Sequence, residues 1–239
     1  MKQRSPAFVI GLIASIILGF GIIAGVVLSL QSAVGLGYEP SGTRATKTGS
    51  NTAELDLATF PDSHVCHADQ GEPQIDWVTY CSGTNMGGTN LEVPSNSLIT
   101  VVIKQYDSAS GLYNDFFQKV QGTMGGVAMY NNKPMSQIKA DDAAHTFTIQ
   151  SQPDETNPIF VSVPLLGVPD DAPTPVNIDG NMYPKPNVIM FQFRTGPGNH
   201  VYIWHCYVPC GNDRESPYGF SGPMTTTGYM AGTVTVTNY

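Results

Sequence analysis

Gly196-Pro-Gly-Asn199, followed by His200-Val-Tyr-Ile-Trp-His-Cys206, is the stretch on which the fold turns. Gly and Pro in close succession mark a turn. The β-branched and aromatic residues after it favour a strand, here Val201 to Cys206. Successive side chains of a strand point to opposite faces, so His205 and Cys206 belong to different sides of a sheet. Similar signals lie on either side. Leu98-Ile-Thr-Val-Val-Ile103 follows the turn Val93-Pro-Ser-Asn96, and His145-Thr-Phe-Thr-Ile149 alternates. Val188–Phe193 and Ala231–Val236 read as two more strands. Asp115 to Gln121 is predicted as one short helix. Pro153 to Pro186 holds eight of the 18 prolines and is predicted as a long irregular excursion.

Composition agrees with this reading. Charged residues make up 13% of the 239-residue chain, about half the usual share of ~25%. The 25 Gly, 18 Pro and 10% aromatics suit a turn-rich β protein with a core. They argue against a coiled coil or a helical bundle. The net charge of −8, without clustered Lys and Arg, excludes nucleic acid as a partner, because phosphate binding needs such clusters. No phosphate loop, GxSxG or HExxH is present.

Ala7 to Leu30 carries no charge over 24 residues. As a helix it would reach ~36 Å, enough to cross a bilayer core of ~30 Å. A secretory apolar core usually runs only ~7–15 residues, so an uncleaved anchor is expected. Lys2 and Arg4 precede it, which predicts residues 1–6 as a cytoplasmic tail and the C-terminal domain as extracytoplasmic. Membrane lipid is therefore an expected partner of residues 7–30. Residues 31–51, rich in Gly, Ser and Thr, read as a tether. Residues 52–85 read as an N-terminal extension, and residues 86–239 as the main domain.

An outward domain fits an oxidising compartment. Cys66 and Cys81 are expected to form a disulfide, worth ~3 kcal/mol for a loop of that size in the chain-entropy model. Cys206 and Cys210 leave two readings open: a second disulfide, or a pair of metal-binding thiolates. His64 and His67 flank Cys66 and read as loop histidines.

Few residues remain to carry chemistry. A His begins one strand (His145), a Cys ends a later strand (Cys206), and a Met precedes the last strand (Met230). Imidazole, thiolate and thioether together suit copper. Here the sequence resembles the cupredoxins. Asp142-Ala-Ala-His-Thr-Phe-Thr-Ile149, the Gly-Pro-Gly turn with the strand to Cys206, and Gly228-Tyr-Met-Ala-Gly-Thr-Val-Thr-Val236 carry the resemblance. Leu91–Val101 is similar to an early cupredoxin strand. The resemblance implies an all-β, cupredoxin-like Greek-key β-sandwich over roughly residues 86–239, preceded by one transmembrane helix. An anchor before such a domain is also similar to subunit II of some haem–copper oxidases.

The resemblance implies His145, Cys206 and Met230 as copper ligands. Mononuclear blue copper also needs a second His between the Cys and the Met, and residues 207–229 contain none. His200 lies too far back along the strand, which leaves His64 or His67. Cys206-x-x-x-Cys210 resembles the thiolate pair of a binuclear copper domain, so Cys210 joins the metal set and one or two ions are expected. Met224 is a further soft candidate. The function implied is electron transfer to or within a respiratory complex. Two alternatives stay open: a metal-free accessory subunit, and a Cu(I)-handling protein. The sequence argues against a multicopper oxidase, because Tyr207 follows His205-Cys206 and five histidines are too few. No nucleophile–base–acid set is apparent, which argues against a hydrolase.

Overall fold

The computed structural model describes residues 42–61, 79–82, 88–178, 180–209 and 222–239. Its strands are β1 (Gly42–Arg44), β2 (Thr46–Gly49), β3 (Thr52–Phe60), β4 (Thr79–Ser82) and β5 (Gly88–Pro94). Then come β6 (Leu98–Gln105), β7 (Ala128–Tyr130), β8 (Lys133–Met135), β9 (Ala143–Gln150) and β10 (Phe160–Leu166). The last are β11 (Val176–Ile178), β12 (Asn181–Tyr183), β13 (Asn187–Arg194), β14 (His200–His205) and β15 (Ala231–Thr237).

Two large sheets and a two-stranded ribbon, β11-β12, result among the described residues. One large sheet has the order β1-β5-β15-β14-β9-β10, and the other β2-β3-β6-β13-β7-β8 with β4 on β3. Most pairs are antiparallel, but β3 runs parallel to β6, and β5 runs parallel to both β1 and β15. Alternation decides which face turns inward. Strand β6 buries Ile99, Val101 and Ile103, and β13 buries Ile189, Phe191 and Phe193. From the other sheet come Phe147, Ile149, Tyr202, Trp204, Val234 and Val236, all in the same hydrophobic cluster. Each such side chain contributes roughly 1.5–3 kcal/mol on burial. The fold is thus an all-β sandwich, as the sequence predicts.

The chain crosses between the sheets at two neighbouring turns, β5 to β6 and β13 to β14. Asn96 N–H donates to Gly196 C=O at 2.9 Å, and Thr195 Oγ1 accepts Ser97 N–H at 3.0 Å. Asn96 (φ 50°) and Gly198 (φ 91°) take the left-handed conformations these turns require. Near the other end Trp204 anchors the core. It meets Tyr80 edge-on at 4.8 Å and Phe147 at 4.9 Å, and its Nε1–H donates to Thr89 C=O at 2.7 Å. Opposite Trp204 stands Gly232, where a Cβ would come within 2.0 Å of that carbonyl.

Several expectations need correction. The sequence boundaries put Gly42–Phe60 in a tether and an extension, yet β1, β2 and β3 pair within the two sheets. In β3 the acids Glu54 and Asp56 separate buried Ala53, Leu55 and Leu57, the pattern of a half-buried strand. The excursion at 153–186 is not irregular throughout. Strand β10 pairs with β9 along its length despite Pro164. It is an edge strand, where a missing N–H faces away from the ladder. The expected helix at Asp115–Gln121 is a single 3-10 turn, Asp115–Gln118. The predicted anchor at 7–30 lies outside the described residues. Among the described residues no helix is long and apolar enough to cross a membrane.

Candidate metal centre

Three neighbouring strands direct inward-facing residues to one end of the first sheet. In β9 the inward series is His145, Phe147, Ile149. In β14 it is Tyr202, Trp204 and, one residue beyond the strand, Cys206. In β15 it is Gly232, Val234, Val236, with Met230 one residue before the strand. Trp204 pairs with Ile149 on one side and Gly232 on the other. Carried two residues further, this register sets Cys206 opposite Met230 and Phe147, with His145 as a diagonal neighbour. The bond from Cys206 N–H to Met230 C=O, 3.0 Å, shows the register persisting past the strand end.

The sulfur of Cys206 is a buried thiol with 0% exposure. Its side chain points inward to His145, and Cys210 lies outside the described residues. His145 Nδ1 lies 4.0 Å from Sγ, and its ring is also fully buried. Thr146 N–H and Val208 N–H donate to Sγ at 3.4 and 3.3 Å. Two such donors favour the thiolate, whereas a thiol proton would point to Val208 C=O at 3.6 Å. On its far side His145 Nε2 meets Asp107 Oδ2 at 2.9 Å. Burial disfavours a charged ring, but the Asp107 carboxylate and the Cys206 sulfur outweigh it, and the His145 pKa rises to about 9.

The donor set can be tested against a soft ion. Metal bonds of about 2.0–2.1 Å to nitrogen and about 2.3 Å to sulfur, as at zinc, sum to more than 4.0 Å. One ion can therefore touch both His145 Nδ1 and Cys206 Sγ. Met230 is fully buried beside them, and Met224 is buried in the same core cluster. No three His, Cys, Asp or Glu among the described residues are placed to share an ion, and the soft side chains buried in the same cluster are the Met230 and Met224 thioethers. The imidazole–thiolate–thioether chemistry fits copper.

The remaining histidines fall as the strand geometry requires. His205 turns to the other face, where it meets Gln150 and the Tyr207 ring. His200 stands at the far end of β14, bonded to Glu155. Cys81 is buried on β4, opposite Ala58. His64, Cys66, His67 and Cys210 lie outside the described residues.

Asp107 was not legible in the sequence. It follows β6, 38 residues before His145, and only the fold joins them. It turns the pair into a Cys206–His145–Asp107 series, which resembles the nucleophile–base–acid set that the sequence did not reveal.

No family model matches the chain, and no curated protein sequence matches it. Solved structures of rusticyanin are similar in shape. One from Thiobacillus ferrooxidans has a TM-score of 0.34 at 14% identity, covering 82% of this chain and 88% of that one. Reduced rusticyanin has 0.33 at 15%, covering 83% and 87%. A third, described as a copper protein, has 0.33 at 14%, covering 88% and 94%.

Proposed function

We propose that this chain is a cupredoxin-like copper protein, anchored by residues 7–30 with its sandwich facing outward, that transfers electrons to or within a respiratory complex. His145 Nδ1, Cys206 Sγ and the Met230 thioether hold the ion. Cys210 would add a second thiolate if two ions bind, and a Cys66–Cys81 disulfide belongs to the same extracytoplasmic reading. The observation that carries the proposal is the buried imidazole nitrogen facing a buried thiol at 4.0 Å. Bound copper supplies a one-electron couple. The chain supplies soft donors on three strands, two N–H donors to the sulfur, and an apolar surround that keeps water away. Rigid strands hold the donors in place in both oxidation states. Thiolate and thioether donors also suit Cu(I), which gives the copper-handling reading its support.

Adding Cu(II) to the purified full chain in detergent tests this. An intense thiolate-to-copper absorption band with a Cu(II) EPR signal is expected, and Cys206→Ser abolishes the band. Uptake of Cu(I) alone, without colour, favours copper handling. No uptake of either ion removes the copper reading and leaves a metal-free accessory subunit.

A further inference from the structure

We infer that Asp107 is a positioning residue for the metal site: it holds a proton on His145 Nε2, turns Nδ1 toward Cys206 as the nitrogen that gives up its proton when an ion binds, and biases a bound ion toward its oxidised state. The metal-site role and the redox bias rest on the copper reading above; the proton held on Nε2 does not. Both carboxylate oxygens of Asp107 are engaged as acceptors. Oδ1 accepts Ser108 N–H at 2.7 Å, and Oδ2 faces His145 Nε2 at 2.9 Å. The backbone around it is pinned as well. Asp107 C=O accepts Gln105 Nε2–H at 2.8 Å and Val168 N–H at 2.9 Å. His145 is fully buried and the Asp107 side chain is 13% exposed, so water does little to screen the pair. A carboxylate accepts only, which obliges Nε2 to donate. Nδ1 is then the nitrogen left to face the sulfur. Partners of this kind orient a histidine ligand, and their loss typically costs 10–100-fold in metal affinity. A negative charge one ring away also stabilises the more positive oxidation state of the ion.

Asp107→Asn is the informative change, because it preserves size but offers one acceptor where two donors wait. Its amide must turn an N–H toward either Ser108 or His145. In the metal-free full chain, proton–nitrogen NMR of the wild type is expected to show the His145 Nε2–H as a downfield, slowly exchanging resonance. Asp107→Asn is expected to lose or shift it, and Asp107→Ala to lose it. In the copper-loaded chain, Asp107→Asn is expected to bind 10–100-fold more weakly. It is also expected to raise the midpoint potential by about 59 mV for each tenfold change in the Cu(II)/Cu(I) affinity ratio. Circular dichroism and thermal melting verify folding of each variant. A wild-type potential in folded Asp107→Asn, or an unchanged Nε2–H resonance in either variant, overturns the inference. If the wild type takes up no copper, the function proposed above falls, and the NMR comparison alone decides the role of Asp107.

Discussion

Two histidine–carboxylate pairs of similar length sit in this sandwich and do different work. His145–Asp107 measures 2.9 Å and His200–Glu155 measures 2.7 Å. What separates them is the second ring nitrogen. His200 Nε2 meets Pro197 C=O at 2.6 Å. With a carbonyl on one side and a carboxylate on the other, both acceptors, both nitrogens of His200 must carry protons. His200 is therefore a structural cation with no lone pair to give. It lines an open groove with Gln152, Asp154 and Asn199. His145 Nε2 also meets a carboxylate, but its Nδ1 faces the Cys206 sulfur, where it can exchange its proton for an ion held between the two. A His–carboxylate pair is thus not a metal ligand by itself; the group facing the other nitrogen decides.

The sharpest way to break this comparison is to remove each ring. His145→Ala leaves Asp107 facing an apolar core, and breaking a buried pair is expected to cost about 3–5 kcal/mol. Copper uptake should vanish with it. Denaturant unfolding and metal titration measure both effects. Retained copper binding would move the site elsewhere.

Gly232→Ala bears on the packing that distinguishes the buried pair's end of the sheet. The added Cβ would fall 2.0 Å from Thr89 C=O, which also accepts Trp204 Nε1–H. Strands β5 and β15 must part, at an expected cost of about 1–3 kcal/mol. Thermal melting checks this, and indole fluorescence should report a disturbed Trp204.

The metal-free stability should depend on pH differently for the two pairs. His145 has a folded pKa of about 9, above the unfolded value of about 6.5. Its contribution is fully present below pH about 6.5 and is lost as pH rises through about 9. The His200 pKa is also raised, chiefly by the Pro197 carbonyl, with burial opposing and Glu155 assisting. The Glu155 pKa is lowered, chiefly by the Asn157 N–H, with His200 assisting. That pair's contribution is lost as pH rises through the His200 value, and equally as pH falls through the Glu155 value. Melting curves of wild type and His145→Gln should therefore diverge most below about pH 6.5 and converge above about pH 9.

The smallest effect belongs to His200→Ala. Its melting temperature should fall slightly between about pH 4.5 and 6.5, approach wild type at pH 9, and leave copper binding unchanged. A loss of copper binding in this variant would erase the distinction between the two rings.

Much of the scaffold was legible because its signals are local. The β-branched run at Leu98–Ile103 and the alternation at His145–Ile149 both became strands, at Leu98–Gln105 and Ala143–Gln150. Local signals also failed where context overrode them. Prolines from Pro153 to Pro186 suggested disorderly chain, but edge position let Pro164 sit in β10. Gly and Thr at 42–51 suggested a tether, but pairing with β3 and β5 recruited them.

By itself the sequence determined the all-β class, the order in which an imidazole, a sulfhydryl and a thioether follow one another, and which side of its strand each occupies. Those follow from a two-residue repeat that each strand carries internally. Only the tertiary structure decided that β9, β14 and β15 are neighbours in a register bringing His145, Cys206 and Met230 to one end. It alone left Cys206 a thiol and set Asp107 behind His145. Register between strands is fixed by packing and hydrogen bonds among residues far apart in the chain, and no local pattern encodes it.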